Sequence, residues 1–291
     1  MIFYYSLALL AALSWSISSL ISADLTRTLG GIGFNRIRLI FVSAMLIFYA
    51  SISNTWTTIN INFLITIIIS GIIGVFLGDT LLFLALQKIG PRRNNILFSL
   101  AAPFTIFLNI FVLNEKMFLI QLLGCFLVFA GVIVAIVYGN SNDNNHRWEI
   151  IEGSIKLGII FGVLAALCQA IGLILMKPIL SAGADPIASA AIRTSISAFL
   201  LSFTYFSNNK IIIDKSKFTI NIILKTILSG FLGMALGMSL LLIALQQADA
   251  GIVATLSSTS PIMILFLIWI ITNKMPTIGA WIGTVTAIIG T

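Results

Sequence analysis

Ser70–Gln87 reads SGIIGVFLGDTLLFLALQ, and Ser229–Gln246 reads SGFLGMALGMSLLLIALQ. Ser, three glycines, Leu-Leu, Ala-Leu and Gln recur in register, 159 positions apart. Each copy is an apolar stretch of the length that crosses a membrane, about 17–25 residues as a helix. The chain is therefore a duplication of hydrophobic helices, and everything else in it is read against that repeat.

Composition agrees. Of 291 residues, 59% are hydrophobic and 9% charged, and mean hydropathy is +1.12. A soluble domain carries about 25% charged residues, so a water-soluble globule is excluded. The formal charge of +7 is scattered through short connections. It forms no basic face interleaved with aromatics, which argues against nucleic acid as a partner. Cys125 and Cys168 sit inside apolar runs and read as packing residues. His146 stands in a polar loop beside Asp143 and Glu149 without a second His or Cys, so no metal or other cofactor is expected. No basic region precedes the first apolar run, so a cleavable leader is not expected.

Ten spans are read: Phe3–Ala23, Ile37–Ser53, Phe63–Gln87, Asn94–Leu113, Phe118–Tyr138, Ile155–Met176, Pro186–Phe206, Asn221–Gln246, Gly251–Ile271 and Thr277–Thr291. The expected fold is an all-α integral membrane protein of ten transmembrane helices. Its units are residues 1–138, a polar linker at 139–152, and residues 153–291. The last span has fifteen residues. That is about 22 Å of helix against a hydrocarbon core of about 30 Å, so a continuation past Thr291 is expected.

The repeat reaches further than the opening match. Gly131 pairs with Gly290, Gly124 with Gly283, and Pro103 with Pro261 after a one-residue slip. Leu164–Leu167 echoes Leu10–Leu13, and Arg193 echoes Arg38. The unit is five helices. Five is odd, so the second copy enters from the opposite side, giving two inverted five-helix repeats, an architecture suited to alternating access. Connections after odd-numbered spans hold thirteen Lys and Arg and the other side three. The positive-inside rule then places both termini outside the cytoplasm.

Asp79 is the one acid deep in an apolar span, where an ionised carboxylate costs about 2.5–3.5 kcal/mol. It reads equally as a proton-coupling or substrate-contacting group and as a locally hydrogen-bonded acid. Its repeat counterpart is Met238. Pro103 and Pro261 lie mid-span, and each frees a carbonyl four residues back, at Ser99 and Ser257. Matched breaks in two halves point to a transport site, with Asn94, Asn95 and Ser99 on one side and Thr255, Ser257, Ser258 and Thr259 on the other. The competing reading is a packing kink. Gly71, Gly74 and Gly78, with Gly230, Gly233 and Gly237, form small-residue packing seams. Arg38 and Arg193 open spans two and seven and read first as interfacial anchors, second as gate residues. Trp15 sits mid-span and needs a partner for its ring N–H, which turns it inward. Gln169 is its repeat neighbour. The GGIGF run at Gly30–Phe34 follows no strand and precedes no Lys-Ser/Thr, so it is no phosphate loop, and no nucleotide-hydrolysis motif appears.

The motifs together resemble the drug/metabolite transporter superfamily, of the EamA-like type. LAALSW at Leu10–Trp15, Arg38, GDTLLFLALQKIG at Gly78–Gly90, Pro103 and LNEKMFLIQLLGCFLVFAGV at Leu113–Val132 carry the resemblance, and it spans both copies. It implies a carrier, commonly an exporter, that moves small metabolites without ATP through a central cavity lined from both halves. Here that places Trp15, Asp79, Ser99, Gln169, Ser239 and Ser258 near the path. The family's acid before helix five is Glu115, whereas the second half has Asn273 and Lys274. The resemblance also implies cytoplasmic termini, opposite to the charge count.

The leading expectation is a secondary active transporter, not an enzyme, in the inner (plasma) membrane of a bacterium, acting as a monomer or homodimer. Its partners would be a small-molecule substrate, the lipid bilayer and coupled protons. The alternatives are an integral-membrane enzyme or flippase acting on lipid-linked substrates, and a passive channel. The first wants clustered His, Asp, Glu or Cys at one membrane face, and the second wants polar rings around a pore. The sequence offers neither.

Overall fold

The computed structural model describes residues 2–113, 119–138, 148, 151–204, 219–273 and 275–290. Glu115, His146 with its acidic neighbours Asp143 and Glu149, Lys274, Thr291 and most of the linker lie outside the described residues.

Among the described residues the chain is helical throughout. In order the helices are α1 (Ile2–Leu29), α2 (Gly31–Ile52), α3 (Ile61–Ser70), α4 (Gly78–Phe98), α5 (Ala101–Leu113), α6 (Leu119–Val137), α7 (Ile155–Ser181), α8 (Pro186–Phe203), α9 (Ile220–Gly230), α10 (Gly237–Gln247), α11 (Ala250–Ser257), α12 (Ser260–Thr272) and α13 (Ile278–Gly290). Short polar residues set the starts. Asn60 accepts from the Asn62 amide ahead of α3. Asp185 accepts from the Ile187 and Ala188 amides, with Pro186 in the first turn of α8. Each satisfies backbone donors that the first turn leaves free.

Two pairs of helices run on through a wider, π-helical turn. Gly71–Leu77 joins α3 to α4, and Phe231–Leu236 joins α9 to α10. They occupy corresponding places in the two copies. Seven helical stretches are long and apolar enough to cross a membrane, and Ala101–Val112, Leu123–Val137 and Ile278–Gly290 are shorter apolar helices. One of the seven, Ile61–Phe98, has 38 residues, about 57 Å at about 1.5 Å each. Gly90 divides it. Its φ of 78° is a left-handed value that favours glycine, and its Cα faces the Trp148 carbonyl so closely that any Cβ would collide with it. The sequence reading expected a loop at Lys88–Arg93. The chain instead turns on Gly90 and restarts a helix at Pro91, so Arg92 and Arg93 are buried at 2% exposure each.

The two copies pack by exchanging equivalent parts. α1 lies against α10, and α7 against α4. α2 lies against α8, α5 against α11 and α6 against α13. The partners run antiparallel. Gly124 abuts the Gly290 carbonyl, while Gly131, further along α6, abuts Gly283, earlier in α13. Trp15 meets Gly237 and Ser18 meets Gly233, while on the other side Cys168 meets Gly78 and Gly172 meets Gly74. Equivalent helices that face one another in opposite directions define a two-fold-like relation between the copies. The outward faces carry Phe48, Phe111, Phe126, Ile133, Phe199 and Ile270, all well exposed. That is the surface a bilayer covers, where polar residues would be costly.

The candidate transport cavity

A cavity of about 60 Å³ lies between the copies, walled by α1, α2, α4, α7 and the turn leading into α10. Its polar wall comprises Ser18, Ser19, Ser22, Arg38, Asp79, Asn94, Asn95 and Gln169, and its apolar wall Trp15, Leu82, Phe83, Phe98, Met234 and Met238.

The charged centre is an ion pair. Arg38 Nη2 donates to Asp79 Oδ2 and, at 3.4 Å, to Asn35 Oδ1. The guanidinium carbon stands 4.5 Å from the centre of the Phe83 ring, which Phe34 meets edge-on at 4.9 Å. Arg38 is 3% exposed and Asp79 8%. The pair meets because α2 begins at Gly31, not at Ile37, which carries Arg38 two turns into the helix. Arg38 is thus no headgroup anchor. It is the counter-ion that Asp79 requires at this depth. Arg193, at 1% exposure, is equally far from the surface. It contacts Met238, the residue in Asp79's place, with Nη1 3.8 Å from the sulfur.

Trp15 turns inward. Its ring N–H donates to the Gly233 carbonyl at 2.8 Å, and its ring meets Phe98 edge-on. Gly233 lies inside the π-helical turn, whose wider spacing makes backbone carbonyls available to other helices. Gly71, in the corresponding π-helical turn of the first copy, accepts from the Ser197 hydroxyl at 3.1 Å. Asn95 donates to the Ser19 hydroxyl and to the Pro91 carbonyl, both at 2.8 Å. Asn94 Oδ1 is buried without a hydrogen-bond partner among the described residues.

The broken helices occur where the prolines are. α5 starts at Ala101 with Pro103 in its first turn, and α12 starts at Ser260 with Pro261 in its first turn. Pro103, Pro261, Ser99 and Ser258 do not wall the cavity. The Ser99 and Ser258 hydroxyls turn back onto the carbonyls of Ile96 and Ala254, both at 2.7 Å. Ser239 walls a separate groove with Met45, Tyr49, Ile187 and Leu240. So the cavity brings together Trp15, Asp79, Asn95, Gln169 and Arg38. The serine ladder was missed. Ser18 donates to the Ser229 carbonyl at 2.9 Å and lies 3.1 Å from its hydroxyl, which is also 2.6 Å from that of Ser22. The signal was present, since Ser14, Ser16, Ser18, Ser19 and Ser22 crowd one apolar span.

The part of the linker that is described packs across one end of the bundle. The Trp148 ring N–H donates to Asp24 at 3.2 Å, Glu152 pairs with Arg27 at 3.2 Å, and the Glu152 amide donates to the Lys88 carbonyl at 2.8 Å.

Comparison with known proteins adds the family. The chain matches no curated protein. One crystal structure of a protein superposes with a TM-score of 0.73 at 14% identity, over 99% of this chain and 94% of the other. At that identity the likeness shows the fold alone. A model of the EamA-like transporter family matches residues 2–137 and, a second time, residues 156–291. Two copies of that model cover nearly the whole length, joined through the cavity just described, and the chain is accordingly a multi-pass integral membrane protein of the EamA-like transporter family.

Proposed function

We propose that the protein is a secondary active transporter, an exporter of small metabolites, working by alternating access between two inverted five-helix units at 1–138 and 153–291. The observation that carries this reading is the cavity itself. It sits on the two-fold-like seam, walled by helices of both copies, and holds a buried ion pair. In this reading the chain crosses the membrane ten times, with Gly90 separating the third crossing from the fourth. The π-helical turn at Phe231–Leu236, which gives Gly233 and Met234 to the cavity wall, supplies the helix irregularity that transporters place around a site.

The cavity is small in this conformation. About 60 Å³ holds a few waters, whereas sites for small molecules run to about 300–1,000 Å³. Loading a substrate therefore requires the halves to part. Asp79 is the coupling carboxylate in this proposal. A proton arriving on it would dissolve the pair with Arg38, linking protonation to the cavity's charge. Setting aside the buried arginines, Arg36, Arg38, Arg92 and Arg93 on one side and Arg193 on the other, leaves nine against two, so both termini outside the cytoplasm remains the proposed orientation.

The test is counterflow in proteoliposomes against a panel of labelled amino acids, nucleosides and cationic drugs. A carrier gives saturable uptake accelerated by substrate on the opposite side, while linear, unsaturable flux would identify a pore. For coupling, Asp79→Asn in correctly folded protein should abolish flux driven by a pH gradient and retain counterflow. Unaltered pH-driven flux removes Asp79 from the mechanism.

A further inference from the structure

Arg38 and Arg193 hold equivalent positions in the two copies, but among the described residues only one of them is paired with an acid. Arg38 has Asp79. In the same place beside Arg193 stands Met238, whose sulfur lies 3.8 Å from Nη1. A methionine sulfur and an aspartate carboxylate oxygen are both three bonds from Cα. The thioether therefore occupies the position of the missing carboxylate without supplying its charge. Nε and Nη2 of Arg193 are buried without a hydrogen-bond partner among the described residues. Nη2 lies against backbone, where a Cβ on Gly74 would sit 2.9 Å from it and one on Gly172 3.2 Å. Among the described residues Arg38 and Arg193 bring two positive charges to this part of the bundle and Asp79 one negative charge, leaving one positive charge over. Met238 also walls the cavity. Its side chain is unbranched and flexible, and it touches both the cavity and the guanidinium, which does not itself wall the cavity in this conformation.

We propose that Arg193 is the anion-recognition group of the transport cavity, and that the molecule carried is a small organic monoanion, a carboxylate or sulfonate on an apolar body. One uncompensated charge matches one negative charge. The planar N–H fork fits a carboxylate or sulfonate edge. Trp15, Phe83, Phe98 and Met234 in the same wall receive the apolar body. The inference rests on the carrier reading for the word "carried", but the binding it asserts can be measured separately.

The probe is benzenesulfonate, an anion across the working pH range, compared with neutral benzenesulfonamide. Binding is read as saturable thermal stabilisation of the purified full chain in detergent. Benzenesulfonate should stabilise and benzenesulfonamide should not. Arg193→Met should weaken binding at least about tenfold. Met238→Asp should do the same by supplying the absent carboxylate. It recreates a pair the first half already accommodates, so its ligand-free melting temperature should be at or above that of the parent, and it carries the test if Arg193→Met does not fold. Equal stabilisation by the sulfonamide, or undiminished binding in Met238→Asp, overturns the proposal. Saturable counterflow of another probe without any benzenesulfonate binding overturns it too and leaves the carrier standing. Benzenesulfonate binding without counterflow of any probe, this one included, does the reverse.

Discussion

Asp79 and Arg38 place two formal charges in a part of the molecule that lipid surrounds. Alone, either would cost about 2.5–3.5 kcal/mol on insertion scales; together, and with Arg38 stacked on Phe83, they satisfy one another. Removing one member leaves the other buried and unpaired, which costs about 3–5 kcal/mol, whereas replacing both with apolar residues is close to neutral. Arg38→Met should therefore lower the melting temperature of the detergent-solubilised protein sharply. Adding Asp79→Met to it should recover most of that loss. A double variant as unstable as the single one would mean the two residues are not energetically coupled. Asp79 was legible as an acid in an apolar run because composition alone marks it. Its partner was not. Arg38 stands one residue inside the apolar window but seven inside the helix, because Gly31 to Arg36 is polar enough to read as a loop and still helical enough to extend α2. Only three-dimensional packing tells a cation that snorkels from one that is capped by an acid 41 positions away.

At the scale of the helix, glycine decides which surfaces meet. α6 and α13 approach through Gly124, Gly131, Gly283 and Gly290, where an added Cβ would run into the partner's backbone. Such an approach gains dispersion contacts that bulkier residues would forbid. Gly131→Leu should separate the pair and destabilise the protein by about 1–3 kcal/mol or more, read as a lower unfolding temperature. The pairing direction can be checked directly. In a background with Cys125 and Cys168 replaced by Ala, cysteines at 124 and 290 should cross-link under mild oxidation, and cysteines at 124 and 283 should not. Cross-linking of the second pair alone would reverse the packing described. The glycine seams and proline breaks were readable because those residues act through backbone geometry wherever they stand. The π-helical turns were not, since an extra residue per turn leaves the same apolar composition and the same glycines. Nor was the fate of the polar breaks. Ser99 and Ser258 were expected on the cavity wall, but a hydroxyl beside a broken turn finds its own helix's carbonyl first.

The whole molecule is two similar bundles that interlock, so no cavity wall belongs to one copy alone. The duplication was visible in the sequence because ten of the eighteen residues of Ser70–Gln87 recur in register, and an odd number of helices per copy, as the sequence reads, would require inversion. What the sequence could not supply is which equivalent helices touch. α1 docks on α10 and α7 on α4, so each copy's first helix is held by the other copy's third. Any parting of the halves must shear those two contacts. Ser18 on α1 and Ser229 on α9 bridge the seam with hydroxyls 3.1 Å apart, near enough for a disulfide between cysteines in their places. With the native cysteines replaced, oxidised Ser18→Cys/Ser229→Cys protein should retain its fold and lose at least about nine-tenths of its counterflow, because rocking of one copy against the other is how such carriers expose the site. Dithiothreitol should restore the flux, and each single cysteine should transport normally. Full counterflow in the fully cross-linked protein would show that the substrate passes without the two copies moving apart along α1, and the alternating-access reading would have to give way to a fixed path through the bundle.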